Sequence, residues 1–313
     1  MVTYTLRKGL LAIPLALLIV TVVFFLLRLI PGGPAMAVLG DRATAESIAT
    51  FNREWGLDRP LLVQYADYMR DLLTGDLGRS YVNGSAIGPM IARAIPHSLL
   101  LTGAATLVSM LIGIPLGILT ALRRDSLFDA AGRAFGLVGL SVPDFYFGIL
   151  LILAFALSVH WLPMRGAGDW SDPASIVLRL IMPAITLGWA STAMIMRIGR
   201  SSLLEVLQND YIRTARAQGH RERRVILKYA LRNAMIPVLT VVGLNMGLIL
   251  GNAIIIETVF SRPGLGKLLI GSVMSRDFST MQSTLVVFAL AITLINQMTD
   301  LTYALVDPRI RYE

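Results

Sequence analysis

Leu99-Leu-Leu-Thr-Gly-Ala-Ala-Thr-Leu-Val-Ser-Met-Leu-Ile-Gly-Ile-Pro-Leu-Gly-Ile-Leu-Thr-Ala-Leu122 carries no charged side chain. A helix that crosses a bilayer needs about 20 predominantly apolar residues, and this stretch has the length. Five more stretches qualify: Leu10–Ile30, Phe135–Val159, Ile176–Met196, Met235–Val259 and Thr284–Val306. None alternates with period two, as a barrel strand would. In hydrocarbon the backbone must satisfy its own hydrogen bonds, so each is expected to be a helix. The expected fold is an all-α polytopic membrane protein with six transmembrane helices.

Composition points the same way. Of 313 residues, 55% are hydrophobic and 15% charged, against roughly 25% charged in soluble domains. A single membrane domain over residues 1–313 is expected. The chain has no cysteine, which excludes a disulfide framework and thiolate chemistry. Its net charge of +8 reads as an excess in loops on one side, with no nucleic-acid partner. The first apolar run resembles a signal peptide, with Arg7 and Lys8 before it and Ala35-Met36-Ala37 after it. At 21 residues it exceeds the roughly 7–15 of an h-region, and Arg28 at its far end can snorkel to the interface. Residues 1–30 are read as an uncleaved N-terminal helix.

Lys and Arg in short loops set the topology. Arg7 and Lys8, the loop after the second span (Arg123, Arg124, Arg133), the loop after the fourth (Arg197 to Arg232) and the C-terminal Arg309 and Arg311 supply sixteen cations. The opposite loops supply five: Arg165, Arg179, Arg262, Lys267 and Arg276. Both termini are expected in the cytoplasm, with six spans between them. Residues 31–98 then form an extracytoplasmic segment, with a short helix expected over Leu61–Leu73. Loops of this length usually have a use: a packed cap over the helix ends, a docking surface for an external partner, or both. Residues 99–313 form the core, with a cytoplasmic loop at 197–234.

In that loop, Ala215, Ala217 and Gly219 are small, and Gly219 can end a helix or permit close approach. Beyond it, Val225, Ile226, Leu227, Ala230, Leu231 and Ala234 recur on one helical face opposite Arg and Lys. A short helix, a turn and an amphipathic helix are expected. By physics alone the loop is either a basic surface at anionic lipid headgroups or a contact for a partner.

Asp210-Tyr-Ile-Arg-Thr-Ala-Arg-Ala-Gln-Gly219 through Leu231-Arg-Asn-Ala-Met-Ile-Pro237 resembles the EAA-type loop of ATP-binding-cassette importer permeases. The resemblance is to the first permease subunit of the dipeptide, oligopeptide and nickel family. Glu257-Thr-Val-Phe-Ser-Arg-Pro-Gly-Leu-Gly266, Arg276-Asp-Phe with Gln282, and Asp300 to Tyr312 are similar to later segments of that family. Arg28 to Ala35, Gly56 to Pro60 and Gly75 to Ser80 are similar to its early ones. The resemblance covers nearly the whole chain, in order. It implies a type I importer permease fold. Its implied partners are a second homologous permease, two ATP-binding subunits carrying ATP and Mg, and an extracytoplasmic solute-binding protein. It also implies that the short helix docks on the ATPase, with Thr214, Ala215, Ala217 and Gly219 at the contact. Gln218 stands where the family commonly has lysine, and Tyr229 where histidine is common.

Pro263-Gly-Leu-Gly-Lys267 fails the phosphate-loop pattern, because Ser261 holds the first glycine position and Leu268 follows the lysine. This chain is expected to bind no ATP, no cofactor and no metal, and to be no enzyme. Gly243, Gly247 and Gly251 form a small-residue ridge for helix packing, against another helix or a second permease. Asn245 and Asn252, seven apart, share a face and either hydrogen-bond between helices or line a translocation path. Asp144, after Pro143 within the third span, either caps a broken helix or meets a cationic group of the solute. His97, His160 and His220 have no metal-ligand spacing. An ion-coupled secondary transporter is the main alternative function, though no internal repeat and only one deep acid support it.

Overall fold

The computed structural model describes residues 2–29, 32–40 and 43–306, and the side chains of residues 13–29, 32–40 and 43–299. The side chains of Arg7, Lys8 and Asp300, and the C-terminal motif from Asp307 to Tyr312 with Arg309 and Arg311, lie outside those residues. The described chain is helical, and its one β-bridge joins Arg79 and Ala86. Helix α1 (Val2–Arg28) leads to α2 (Gly33–Leu39), α3 (Ala45–Glu54) and α4 (Leu61–Thr74). The long helices α5 (Ile87–Leu122) and α8 (Pro173–Val206) flank a broken pair, α6 (Leu127–Ser141) and α7 (Asp144–Leu151). Helix α9 (Asp210–Ala217) and a single turn α10 (Glu222–Arg224) precede α11 (Leu231–Val259), α12 (Leu265–Met274) and α13 (Phe278–Val306).

Among the described residues four helices are long and apolar enough to cross a membrane, and up to six spans arise if each bent pair is one. The third span is corrected. Phe135–Val159 is not one helix: α6 and α7 meet at 106°, and α7 passes into a π-helical stretch, Ile152–Ser158. Pro143 removes an amide hydrogen and bars the α conformation at Val142, which is extended at ψ 122°. The two arms close on one side chain of α8. Phe147 stacks on Trp189 with centroids 4.1 Å apart, and Phe135 meets the same ring edge-on at 5.0 Å.

The centre of the bundle is the α5–α8 pair. Ala105, Ser109, Gly113, Gly117 and Ala121 recur every four residues on α5 and are all buried. Added Cβ atoms at Gly113 and Gly117 would stand 2.8 Å from the Thr192 and Met196 carbonyl oxygens of α8. Small residues therefore let the two backbones touch, which is how helices associate where lipid removes the hydrophobic drive. Helix α11 packs on α5, α8 and α13, and α1 packs on α13.

Residues 32–40 and 43–86 fold over one end of the bundle. Phe24 of α1 packs on Tyr65 and Tyr68 of α4, while Phe51, Trp55 and Tyr81 form a second aromatic group. The Asp277 carboxylate, just before α13, accepts from Ser80 Oγ at 2.5 Å, the Tyr81 amide at 3.1 Å and Thr280 Oγ1 at 2.7 Å. The expected short helix is present as α4. Helix α5 begins at Ile87, so residues 87–98 extend the second span outward.

Candidate functional site

At the opposite end of the bundle, three residues after α8 turn the chain into α9. Ile212 and Ala215 are three apart and so share one face of that helix. They are 0% and 4% exposed, packed with Ala121, Leu203, Val206, Val225, Ala230 and Ala234 in one apolar cluster. Tyr211, Arg213, Thr214, Arg216 and Ala217 face outward. Of the four residues expected at a contact, Thr214, Ala217 and Gly219 lie on open surface. Ala215 does not: it is a pin that seats α9 on its own bundle, because the face that carries Ile212 must carry it too.

The exit from α9 is a Schellman turn. The Gly219 amide donates to Arg216 O at 2.9 Å and the His220 amide to Ala215 O at 3.4 Å, with Gly219 at φ 78°. An added Cβ there would meet nothing within 4 Å. Glycine is required by the backbone angle and not by crowding. Arg216 forks onto Glu222 at 2.7 and 3.1 Å, bracing the turn. The Tyr229 hydroxyl and His220 Nε2 are 3.2 Å apart with their rings stacked, so the tyrosine at this departure from the family pattern has a local partner. Asn233 Nδ2 donates to Tyr211 Oη at 2.8 Å, and Ser202 Oγ donates to Ala234 O at 3.0 Å. The first bond ties α9 to α11, and the second ties α11 to α8.

The helix–turn–helix expected here is present with one change. After α10 the chain runs as a π-helix over Val225–Ala230, which shifts the register. Val225, Ala230 and Ala234 are buried, whereas Leu227 is 57% exposed.

Sequence reasoning gave no sign of a second fixture at this end. Arg200 of α8 donates through Nε and Nη2 to both carboxylate oxygens of Asp129 on α6, at 2.6 and 2.8 Å. The Asp125 amide adds a donor at 3.2 Å. The 71-residue separation of the pair hides it from any local pattern.

Asp144 opens α7 at the break. It lies against the Ala190 backbone of α8, and its Oδ1 is shielded and unpaired among the described residues. On α11, Asn245 is buried with Nδ2 3.5 Å from Met194 Sδ of α8, whereas Asn252 is exposed. The structure therefore separates the two asparagines. Gly247 packs against the Asn296 side chain of α13, Gly243 is buried, and a Cβ at Gly251 would meet nothing within 4 Å.

The segment resembling a phosphate loop has an occupant of its own. Glu257 Oε2 accepts from the Gly266 amide at 2.8 Å and the Lys267 amide at 3.3 Å, and Oε1 accepts from Ser98 Oγ at 2.5 Å. A Cβ at Gly264 would overlap that carboxylate. The N-terminus of α12 is thus neutralised from within the chain. No cluster of three or more potential metal ligands occurs among the described residues.

The sequence matches known proteins along the whole chain. Residues 113–312 match the family model described as binding-protein-dependent transport system inner membrane component. Residues 1–102 match the corresponding N-terminal model. A glutathione transport system permease protein, GsiC, of Salmonella choleraesuis is 40% identical over 313 residues, covering 100% of both chains. A dipeptide transport system permease protein, DppB, of Alkalihalophilus pseudofirmus is 39% identical, again covering 100% of each. An inward-facing structure of the MetNI methionine ABC transporter superposes with a TM-score of 0.58 at 18% identity, over 70% of this chain and 96% of that one. That likeness concerns the fold. The chain belongs to the family of binding-protein-dependent transport system inner membrane components: it is a transport permease and not a catalytic enzyme.

Proposed function

We propose that this chain forms half of the translocation pathway of an ATP-driven importer in a bacterial inner membrane, with α9 as the element that meets the ATPase. The observation that carries the reading is the seat of α9. The helix is pinned to the bundle by Ile212 and Ala215 and presents Thr214, Ala217 and Gly219 outward. A helix held this way can pass a push from a partner into α8 and α11. The exposed Arg221, Arg223, Arg224 and Lys228 beside it favour the cytoplasmic side, with six spans and both termini there. The complete importer would contain a second homologous permease, two ATP-binding subunits that hold ATP and Mg, and an extracytoplasmic solute-binding protein. Gly251, where an added Cβ would meet nothing among the described residues, would face the second permease.

The solute is read as a short peptide, in line with the glutathione and dipeptide named for the relatives. Asp144 and Asn252 are the polar groups placed to meet it. Asn245 serves the α8–α11 contact instead.

Co-purification tests the assembly. The tagged chain should bring down an ATPase, and vesicles holding the complex should import short peptides only with ATP and a binding protein. Peptide transport by the purified chain alone, without ATP, would overturn the proposal.

A further inference from the structure

Helix α4 contains no buried residue, yet three of its side chains hold it to the bundle. Tyr65 and Tyr68 pack on Phe24, and Gln64 Oε1 accepts from Arg28 Nε at 3.1 Å. Beside that contact face runs a second, apolar one. Leu62, Ala66, Met69 and Leu73 follow the i, i+4, i+7, i+11 spacing of a single stripe. Leu62 is 74% and Leu73 81% exposed. The flank on the other side is polar: Asp67 pairs with Arg59 at 3.1 Å, and Asp67 and Asp71 line a polar cavity of about 470 Å³ that also holds Arg28 and Gln282.

The depth of α4 decides what covers the stripe. Tyr65 Oη lies 2.7 Å from Thr21 Oγ1. The Thr21 hydroxyl donates its hydrogen to Leu17 O, so the tyrosine is the donor. Thr21 stands seven residues before the end of α1 at Arg28, roughly 10 Å inward at 1.5 Å per residue. At that depth α1 itself shows an exposed apolar stripe through Leu18, Val22 and Leu26, as a lipid-facing span does. The residues of the α4 stripe stay out of the polar cavity, to which the other flank turns with Asp67 and Asp71.

We propose that α4 is an interfacial helix, lying along the bilayer surface at the end opposite α9, with Leu62, Ala66, Met69 and Leu73 in phospholipid. Helices of this build bury one face about 5–10 Å into the headgroup and acyl boundary. The cap is then held from two sides: by Asp277 on the bundle and by lipid beneath α4.

The absence of cysteine makes the test direct. Leu62→Cys, Leu73→Cys, Asp67→Cys and Asp71→Cys are made one at a time in the full chain. Each is labelled with an environment-sensitive fluorophore and reconstituted with its co-purifying subunits, themselves cysteine-free, in phosphatidylcholine–phosphatidylglycerol vesicles. Leu18→Cys provides the lipid reference. Doxyl-labelled phosphatidylcholine should quench the labels at 62 and 73 at least about twofold more than those at 67 and 71, and aqueous iodide should do the reverse. Iodide quenching at 62 and 73 equal to that at 67 and 71 would place the stripe in water. Quenching by neither agent would mean that a protein subunit covers it. Either result overturns the proposal, and neither depends on what the chain transports.

Discussion

Arg200 holds Asp129 with two parallel hydrogen bonds, and so fastens the first arm of the broken span to α8 at the end where α9 docks on the bundle. The Asp129 side chain is 0% exposed and that of Arg200 20%, while Arg133, 57% exposed, comes within 3.9 Å of the same carboxylate. The pair is covered but sits near the rim, where water still screens it. Breaking a fully buried pair costs roughly 3–5 kcal/mol; here Asp129→Ala is expected to cost about 2 kcal/mol. Replacing both residues with apolar ones should recover part of that. A thermal-stability double-mutant cycle on the purified complex measures it, and purely additive effects would show that the fork contributes nothing as a pair.

Ala215 and Ala217 differ only in the direction they face, so enlarging each should have opposite consequences. Ala215→Leu overpacks the cluster around Ile212 and is expected to destabilise by roughly 1–3 kcal/mol. Ala217→Leu should leave the melting temperature unchanged and weaken ATPase recruitment. Pull-down yield and melting temperature, measured on both variants, separate the two. Equal loss of stability would refute the assignment of faces.

Gly219 needs its left-handed φ and has open space around it. Gly219→Ala should cost roughly 1–2 kcal/mol locally, and Gly219→Asn less, because asparagine tolerates that conformation. Gly219→Arg adds bulk and charge on the proposed contact and should abolish ATP-driven uptake while the chain still inserts. Uptake in reconstituted vesicles is the measurement, and a normal rate for Gly219→Arg would falsify the contact.

Asp144 has one carboxylate oxygen shielded and, among the described residues, unpaired at the break between α6 and α7. If it meets the amino terminus of a passing peptide, Asp144→Asn should slow uptake of free peptides about tenfold, with N-acetylated peptides little affected. Parallel transport assays with both substrate sets decide it; unchanged rate and preference would leave Asp144 a purely structural residue.

Apolar length and breakers were enough to place α4 and most of the long helices, because those signals are local. The turn at Gly219 was legible for the same reason. The 106° bend was not: Pro143 marks a break, but its angle is set by Phe135 and Phe147 closing on Trp189 from a third helix. The inward face of Ala215 likewise depends on a cluster drawn from α5, α8 and α11. One missed signal was available. Ala105, Ser109, Gly113, Gly117 and Ala121 repeat at the same spacing as the α11 glycines, and they bring the α5 and α8 backbones together.

The Asp277 carboxylate gives the protein a timetable. It completes the turn at Ser80 and Tyr81, yet it lies 197 residues further along the chain than Ser80. At 5–20 residues per second, synthesis reaches Asp277 roughly 10–40 s after Ser80. During that interval the serine hydroxyl and the tyrosine amide lack the acceptor they will finally use. The turn at Ser80 and Tyr81 therefore matures only after residue 277 has been made, and a chain cut short before it would leave the ribosome with that one fastening of the cap missing.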